Sequence, residues 1–519
     1  MTATAPHPNQ ISVQTLGEVE LRRDQDGRLT PAPPPGRLID SPPFPKAAIR
    51  ELALPVQRGN LRKATRTIRE KRAIRASEVD CWEELRVAAS QIKDRSLRHL
   101  DYYLERLEES LTKAGATVHW ATDADEANRI IVDLVKKTGV KEVTKIKSMV
   151  TQEIDMNEAL EEAGIAAWET DLAELIVQLG HDRPSHVLVP AIHRNRSEVR
   201  DIFIKEMGVY GTPAPEGLDD VPEHLAAASR AHLREKFLRT RVAISGANFA
   251  VAETGTLVVV ESEGNGRMNL TLPETLISVV GIEKVIPTIE DLEVFLRLLP
   301  RSSTGERMNP YTSMWSGVTP GDGPQNIHVV LLDNGRTKVL QDSYGRQALR
   351  CIRCSACMNI CPVYEKVGGH AYGSVYPGPI GAVLNPQIRG TASKVDQSLP
   401  FASTLCGACT EVFPVKIPLM DLLVYERNQV VDKRKRRSRH QVEPMLMRGG
   451  GWLMADGSRL EKAGKAASLV GKLLPISHFG TLPPPLARWT DTRDVPAMPK
   501  QSFRQWWDKN RDSKSGRED

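Results

Sequence analysis

The sequence predicts an α/β domain with a mostly parallel sheet, followed by a small α-helical module rich in cysteine and an irregular C-terminal tail. Segments typical of strands and of helices alternate between residues 116 and 332, which indicates a sheet covered by helices on both faces. Six of the seven cysteines lie beyond this region, between residues 351 and 409. These observations divide the chain into an N-terminal arm rich in proline (1–45), an α/β domain with a leading long helix (46–325), a cysteine-rich module (326–430) and a basic helix with the tail (431–519).

The overall composition limits the classes of protein to which the chain can belong. Hydrophobic residues make up 40% and charged residues 26% of the chain, as in ordinary globular proteins. The net charge is only +5, because 70 basic residues nearly balance 65 acidic ones, and it does not indicate a nucleic-acid partner. No apolar stretch approaches the roughly 18 residues of a membrane-spanning helix, and the first residues lack a secretory pattern. We therefore expect a cytoplasmic protein without a transmembrane segment.

The α/β domain is expected to begin with one long amphipathic helix over residues 77–113, with Gly115 as its C-terminal stop. After it, helices are expected at 123–137, 153–163 and 222–240, and a last helix ending at Gln347 leads to the cysteines. The expected strands are ATVHWA (116–121), EVTKIK (142–147), IAAWET (165–170), SHVLVPAI (185–192), two runs within 242–265 and IHVVLL (327–332).

The first cysteine block indicates an iron–sulfur site. Its ligand candidates are Cys351, Cys354, Cys357 and Cys361, and Pro362 follows the last of them. Two-residue spacers let three thiolates reach one cluster, and the fourth cysteine of such a run ligates the other cluster in two-cluster ferredoxins. Zinc is the alternative, since paired thiolates also suit a tetrahedral zinc site.

A second block contains Cys406 and Cys409 and ends in Phe413-Pro414. Aligned on the proline, it matches the first block with Ser403 and Phe413 in place of two cysteines. The crossover pattern then gives each site three thiolates: Cys351, Cys354 and Cys357 in the first, and Cys361, Cys406 and Cys409 in the second.

Incomplete ligation leaves three alternatives open. Of up to two 4Fe-4S clusters, one or both are instead of the 3Fe-4S type or have a differentiated iron. Alternatively, a partner or a rearranged cysteine completes one site, or one cluster is lost. A Ser403 alkoxide is a weaker ligand than a thiolate, and Phe413 offers none. His370, in the glycine-rich loop between the blocks, is a candidate donor to a cluster sulfide.

The string GGHAYGSVYPGPIGAV between the two blocks, followed by LCGAC and PVKIPL, resembles the lactate utilization protein B family. The segments KSMVTQEIDMNEALEEAGI, SGANFAVAETGTLVVVESEGN and PRSSTGERMNPYTSMWSG resemble the family's LUD domain, in the same order. The resemblance implies a fold similar to CoA transferases and ribose-phosphate isomerase, followed by a ferredoxin-type module. It also implies a cytoplasmic complex with lactate utilization proteins A and C that oxidises L-lactate to pyruvate. The chain departs from the family at Phe413, where a cysteine is usual.

The LUD-like region offers a candidate ligand pocket, because open α/β sheets bind ligands at strand ends. Lys147-Ser148 and Glu169–Asp171 follow expected strands and are candidates for the same pocket. Strand ends that use glycine and asparagine only for their backbone geometry are the alternative. The pocket candidates around two strand ends are Asn248, Glu253, Thr254, Gly255, Glu263, Gly264, Asn265 and Arg267.

The sequence thus predicts an electron-transfer subunit of an L-lactate oxidoreductase complex, whose electron acceptor the residues do not identify. The absence of a G-x-G-x-x-G fingerprint after a strand argues against a dinucleotide site on this chain. Two other functions stay open: a LUD-type binding or scaffold protein with structural clusters, and a subunit that oxidises another 2-hydroxy acid. The basic run 433–437 is typical of a solvated helix face, with contact to an acidic partner surface as the alternative. The pair Trp506-Trp507 either anchors the tail onto the body or docks a partner.

Overall fold

The structure is a computed structural model that covers most of the chain in detail. The N-terminal arm expected over 1–45 falls mostly outside the described residues. The chain forms two compact units, Met1–Val430 and Val431–Asp519. The described residues are 10–14, 18–22, 41–437, 442–473, 478–482, 487, 490 and 494–511.

Strands of the first unit form three sheets. A hairpin pairs β1 with β2, a six-stranded sheet has the order β3-β12-β9-β6-β4-β5, and a four-stranded sheet has the order β10-β7-β8-β11. The strands are β1 (Gln10–Gln14), β2 (Glu18–Arg22), β3 (Thr117–Ala121), β4 (Glu142–Lys145), β5 (Ala166–Glu169), β6 (Val242–Ser245), β7 (Phe249–Val251), β8 (Thr256–Glu261), β9 (Thr275–Gly281), β10 (Val285–Ile286), β11 (Tyr311–Trp315) and β12 (Asn326–Leu332).

Helices cover the large sheet and then form the cysteine-rich module, in which the described residues between 333 and 430 contain no strand. The helices up to residue 210 are α1 (Phe44–Leu52), α2 (Pro55–Ser77), α3 (Trp82–Arg98), α4 (Leu100–Lys113), α5 (Ala124–Lys137), α6 (Met149–Glu153), α7 (Met156–Glu162), α8 (Leu172–Leu179) and α9 (Arg196–Tyr210). Those that follow are α10 (Pro222–Arg239), α11 (Asn265–Thr271), α12 (Ile289–Ser303), α13 (Arg336–Gln341), α14 (Ala356–Ile360), α15 (Pro362–Val367), α16 (Gly378–Arg389), α17 (Lys394–Ser398), α18 (Ala408–Val412) and α19 (Leu419–Arg437). Short 3₁₀ helices lie at Ile282–Lys284, Gly345–Arg350, His370–Tyr372 and Leu399–Phe401.

The six-stranded sheet is parallel throughout, which confirms the predicted α/β class. Every residue of β5, β6 and β9 is buried, as expected for strands covered on both faces. The connection after β4 leads to β5 on one side, whereas the connections after β6 lead to β9 on the other. The chain therefore reverses its winding between β4 and β6, and the crevice beyond their carboxyl ends is the place where such sheets bind ligands.

The helix expected over residues 77–113 is in fact two helices, α3 and α4, which meet at His99. His99 has φ −121° and ψ 40°, outside the helical region. The break has a packing reason, because the two halves bury their apolar faces in different cores. Ala89 and Ile92 of α3 join the core of the cysteine-rich module, whereas Leu104 and Leu107 of α4 pack beneath the two sheets.

The strand expected at SHVLVPAI (185–192) is not formed, and the segment is a chain of turns. Its backbone groups are satisfied locally, since Ser185 donates its N–H to the Pro190 carbonyl at 3.0 Å. His186 Nδ1 accepts hydrogen bonds from the backbone N–H groups of Leu188 and Val189, both at 3.1 Å. Local bonds of this kind compete with strand pairing, and the proline cannot donate to a ladder.

One hydrophobic core is shared by the α/β domain and the cysteine-rich module. It contains strand residues such as Phe249 and Val258, helix residues such as Phe295, and the module's Tyr364 and Phe413. Five of the module's six cysteines belong to the same core. The module is therefore packed into the domain rather than attached by a linker.

The second unit consists of helices and one short strand pair. Trp506 and Trp507 lie on its last helix with exposed fractions of 44% and 51%, and both rings stack against Phe503. The side chains of 434–437, most of the predicted basic run, lie outside the described residues. The elements are α20 (Val442–Met454), α21 (Gly457–Leu473), β13 (His478–Phe479), β14 (Val495–Pro496) and α22 (Phe503–Asn510). Across the described residues, no helix has the length and apolarity needed to cross a membrane.

Candidate metal centre and the cavity beside it

The first group of thiols is formed by Cys351, Cys354 and Cys357, whose exposed fractions are only 3%, 2% and 2%. Their side chains are close enough to influence one another's ionisation. The backbone adopts positive φ at Arg353 (61°) and Ser355 (60°), which folds the short segment tightly before α14 begins. In this turn the Arg353 N–H donates to Cys351 Sγ at 3.4 Å. Three sulfurs thus share one buried site.

The second group is formed by Cys361, Cys406 and Cys409, which line one small cleft together with Ser403. Cys361 caps α15, and its sulfur accepts a hydrogen bond from the Tyr364 N–H at 3.5 Å. Cys409 is buried, whereas Cys406 is exposed. The second group therefore reaches the protein surface, unlike the first.

The ionisation of these thiols shows what they need in order to bind metal. Burial, reinforced by neighbouring thiolates, raises the pKa of Cys354 to about 12 and that of Cys409 to about 11. Burial and neighbouring thiolates also raise the pKa of Cys357 well above its usual value, and Cys409 is among these neighbours. Thiolates at these positions therefore require a cation among them, and metal binding would release protons. Two neighbouring groups of three thiols fit iron–sulfur clusters as a donor set.

Phe413 cannot complete the first group, and the structure shows how its position is used instead. Its ring is buried with an exposed fraction of 1%. Its carbonyl accepts a hydrogen bond from Arg86 Nε at 2.9 Å, and the Val412 carbonyl accepts one from Arg72 Nη2 at 2.8 Å. The residue therefore serves the core and anchors the domain's helices to the module.

Basic side chains surround the first group. Arg72 interacts electrostatically with Cys354, and Lys93, Lys284 and Arg353 interact electrostatically with Cys351. Lys93 is buried, its ammonium donates to the Glu283 carbonyl, and burial lowers its pKa to about 7. Positive charge around a cluster offsets the negative charge of its thiolates and raises its reduction potential.

A cavity of about 340 Å³ lies at the carboxyl ends of β4, β6 and β9, the expected ligand position of this sheet. Its lining reaches from the domain into the module, because Arg353 and Tyr376 contribute to it. The Arg353 guanidinium lies 4.6 Å from the centroid of the Tyr376 ring, and Arg353 Nη2 donates to Glu283 Oε1 at 3.2 Å. Arg353 therefore touches both the cavity and the first thiol group.

The pocket residues expected from the sequence divide between two places. Asn248 and Asn265 line the cavity, as do Lys147, Ser148, Asp171 and Glu263, whereas Gly264 does not. Glu253, Thr254 and Gly255 form the β7–β8 turn, where a Cβ on Gly255 (φ +69°) would lie 2.9 Å from the Leu111 nitrogen. This turn packs on α4, away from the cavity. Arg267 uses its backbone N–H to hold Glu261 Oε1 at 2.7 Å and does not line the cavity.

The cavity has an acidic side and a basic side. On the acidic side, burial and the nearby Asp171 raise the pKa of Glu263 to about 7, and Glu263 Oε2 accepts the Leu172 N–H at 3.0 Å. On the basic side, burial and the nearby Arg353 lower the pKa of Lys284 to about 8. A carboxyl group and an ammonium group that both titrate near neutrality are typical of functional sites.

A buried ion network closes the cavity and joins the domain to the module. Arg336, with an exposed fraction of 1%, donates to both carboxylate oxygens of Glu153 at 2.8 and 2.9 Å. It also pairs with Glu283, which Arg353 contacts from the module side. Tyr376 donates its hydroxyl to Glu153 from the module. Four charged groups and one phenol thus fix the two parts of the chain against each other.

Several of these residues were missed by sequence reasoning. Glu283 and Lys284 follow β9, a fully buried run of seven residues that the strand analysis did not recognise. That run, bounded by Pro273 and Glu283, was the signal that could have identified them. Arg353 lies in the spacer between Cys351 and Cys354, and the cysteine spacing predicts nothing about the residues within a spacer.

His370 is not directed at a thiol group. Its Nε2 lies 2.8 Å from the Arg183 carbonyl, and its ring meets that of His193 with centroids 4.7 Å apart. Asp182, His193 and His370 offer ligand atoms within 4.8 Å of one another. The Arg194 guanidinium already pairs with Asp182 Oδ2 at 2.5 Å, so this carboxylate serves a structural ion network.

Three family models match successive parts of the chain. The sequence matches the LUD domain over residues 104–332, the 4Fe-4S dicluster domain over 347–417 and the C-terminal domain of lactate utilisation protein B over 424–512. The dicluster match and the buried cysteines identify 4Fe-4S clusters as the cofactors, in preference to zinc. A DUF162 family protein from Deinococcus radiodurans is 14% identical, with a TM-score of 0.23, and the match covers 45% of this chain and 98% of that one.

Relatives match along most of the chain. A lactate utilization protein B from Oceanobacillus iheyensis is 44% identical over 443 residues, which cover 85% of this chain and 90% of the relative. Another from Bacillus licheniformis is 43% identical over 464 residues, covering 88% and 94% respectively. One from Shouchella clausii is 41% identical over 477 residues, covering 90% and 97%. The chain belongs to the lactate utilization protein B family.

Proposed function

We propose that this chain is the iron–sulfur electron-transfer subunit of a cytoplasmic complex that oxidises L-lactate to pyruvate. Lactate utilization proteins A and C, by family resemblance, are its partners. The oxidation releases two electrons, and iron–sulfur clusters accept and donate electrons one at a time. The role of this chain is to hold such clusters in a fixed order between the site of oxidation and an acceptor.

The observation that carries this proposal is the different environment of the two thiol groups. The first group is buried beside the cavity, and the second reaches the surface at exposed Cys406. Cys409 of the second group influences the ionisation of Cys357 in the first, so the groups are neighbours. An inner site, an outer site and short separation between them are the features that an electron relay needs.

We assign Cys351, Cys354 and Cys357 to the inner cluster and Cys361, Cys406 and Cys409 to the outer one. Electrostatic interactions link Cys361 with Cys406 and Cys409, which supports the outer group. Cys357 interacts with Cys351 and Cys354 of its own group and also with Cys409 of the other. Ser403 and Thr404 both line the outer cleft with a hydroxyl oxygen, and Ser403 is the one that takes the place of a cysteine in the motif. The inner group lacks a fourth donor at Phe413, which leaves one iron without a protein thiolate.

The chain's own residues set the properties of the inner site. Arg72, Lys93 and Arg353 place positive charge beside its thiolates, which favours the reduced state. The shared core excludes water from five of the six cysteines. Such burial limits solvent reorganisation and protects the thiolates from oxidation.

The decisive experiment is a redox titration of the anaerobically purified full chain, followed by paramagnetic resonance, and then addition of L-lactate with partners A and C. Two reversible transitions, and reduction by L-lactate only with the partners present, are expected. Cys361→Ser is expected to lose the outer transition, whereas Cys81→Ser, at an exposed cysteine outside both groups, leaves both transitions intact.

Clusters that cannot be reduced and reoxidised at any accessible potential would refute the relay and support a scaffold function. Reduction by another 2-hydroxy acid, with no response to L-lactate, would keep the relay and change the substrate. The same titration therefore separates all three functions considered for this chain.

A further inference from the structure

The cavity at the carboxyl ends of the central strands contains polar donors that the protein itself does not use. The Lys284 ammonium makes no hydrogen bond and no ion pair with any residue that the structure describes, although it lines the cavity. Its neighbour Arg353, in contrast, is held by Glu283 at 3.2 Å and by the Tyr376 ring. Lys284 is thus the cation of the basic side that is available to a ligand.

Asn248 provides a second donor at the end of β6. Its Oδ1 accepts the Val260 N–H at 2.9 Å, and because an amide nitrogen cannot accept such a bond, this contact fixes the orientation of the side chain. The amide nitrogen is then left without a partner among the described residues, on a residue that lines the cavity.

Ser148, beyond the end of β4, provides a third. Its hydroxyl makes no hydrogen bond within the described part of the chain, and the residue lines the cavity. Its position depends on Gly246, because a Cβ on Gly246 would lie 2.3 Å from Ser148 Oγ. Three adjacent strands, β4, β6 and β9, therefore each lead to one unused donor.

The three unused donors and the apolar part of the lining indicate the class of the ligand. One ammonium with two neutral donors suits a carboxylate with an adjacent oxygen, which is the pattern of 2-hydroxy and 2-oxo acids. Apolar side chains of Val187, Val189 and Leu299 line the same cavity and suit an aliphatic substituent. The volume of about 340 Å³ exceeds that of a three-carbon acid, so acids with longer aliphatic chains also fit.

We infer that this cavity binds a 2-hydroxy or 2-oxo carboxylate, with Lys284, Asn248 and Ser148 as the donors to its anionic end. The choice of acid rests on the proposed function, whereas the anion site rests on the donors themselves. The inference places an acid of the substrate class on this chain and beside the inner thiol group. Arg353 and Lys284 line the cavity and also interact electrostatically with Cys351.

Calorimetric titration of pyruvate, L-lactate and 2-oxoisovalerate into the oxidised, cluster-loaded full chain tests this inference. All three acids are expected to bind, and the branched acid at least as tightly as pyruvate. Lys284→Met is expected to weaken binding about ten-fold or more, because a charge-assisted hydrogen bond is lost. Lys284→Arg keeps the charge and is expected to stay within a few-fold of the parent. Lys113→Met removes an exposed lysine at the end of α4 and is the matched control.

Asn248→Asp provides an independent test if Lys284→Met loses its clusters or unfolds. Its oxygen can still accept the Val260 N–H, but a carboxylate replaces the free donor and repels the ligand, so binding is expected to be lost. Unchanged affinity in Lys284→Met or Asn248→Asp would overturn the inference, as would the absence of binding by all three acids. Binding of flavin mononucleotide in competition with pyruvate would assign the site to a phosphate ligand and equally overturn it.

The titration involves no electron transfer, so its outcome is independent of the redox experiment. Loss of binding in the variants with intact redox transitions supports both conclusions. Acid binding to a chain whose clusters cannot be reduced would preserve the cavity assignment and refute only the relay.

Discussion

Replacement of Arg336 by methionine is expected to destabilise the protein strongly, because Arg336 neutralises two buried carboxylates. The side chains of Arg336, Glu153 and Glu283 have exposed fractions of 1%, 9% and 1%. Burial alone would raise the pKa of Glu283, but the charges of Arg336 and Arg353 outweigh it and hold this pKa well below its usual value. Methionine fills a similar volume and leaves both carboxylates without this partner.

The magnitude follows from the burial of the pair. Removal of one partner from a buried ion pair costs about 3–5 kcal/mol, whereas an exposed pair contributes about 0–1 kcal/mol. Arg241 pairs with Glu274 at 2.5 Å with the same bidentate geometry, but the side chains are 60% and 58% exposed. Arg241→Met is therefore the matched control, and it is expected to leave the free energy of unfolding almost unchanged.

Urea unfolding of the anaerobic, cluster-loaded variants, followed by circular dichroism, measures the two free energies of unfolding. If Arg336→Met loses no more stability than Arg241→Met, the network does not hold the domain and the module together. A large loss for Arg336→Met with unchanged cluster absorbance would place the effect in the domain interface rather than in the clusters.

Three further outcomes are expected. Burial lowers the pKa of His186 from 6.5 to about 4, so the stability that comes from its neutral form is present above pH 6.5 and is lost as the pH falls towards 4. The free energy of unfolding should therefore decrease by about 2 kcal/mol more between pH 7 and pH 5 in the parent than in His186→Gln. Phe413→Cys should retain one more iron per chain than the parent after anaerobic reconstitution, with a changed paramagnetic spectrum, and Phe413→Leu should not; an equal iron count would refute position 413 as a lost ligand. Ser403→Ala should lower the iron content or alter the spectrum of the outer cluster, whereas Ser403→Cys should keep the iron content of the parent. An unaltered spectrum in both variants would show that Ser403 is not a ligand.

The sequence predicted the parallel sheet and the cysteine groups because both produce strong local patterns. A buried parallel strand is an apolar run, and a cluster motif is a fixed spacing of one residue type. The same local reasoning failed at residues 185–192, where an apolar run is kept out of the sheet by Pro190 and by hydrogen bonds to His186. It also failed at His99, where the chain changes direction because α3 and α4 serve different cores.

The cavity could be located only in part from the sequence. Asn248 and Asn265 were identified because they follow β-rich runs, but Glu253 to Gly255 follow such a run as well and face elsewhere. The difference depends on which end of each strand meets the module, and that is decided by tertiary packing. Lys284 carries no pattern of its own, and its free ammonium becomes visible only when the partners of its neighbours are known.

The common core of the domain and the module imposes an order on the biogenesis of the protein. Five of the six cysteines lie among apolar side chains contributed by both parts, and burial disfavours the thiolate forms of Cys354, Cys357 and Cys409 in the absence of iron. A finished apoprotein would thus present few accessible thiolates to an iron donor. We therefore expect cluster insertion to precede or accompany closure of the chain around the module.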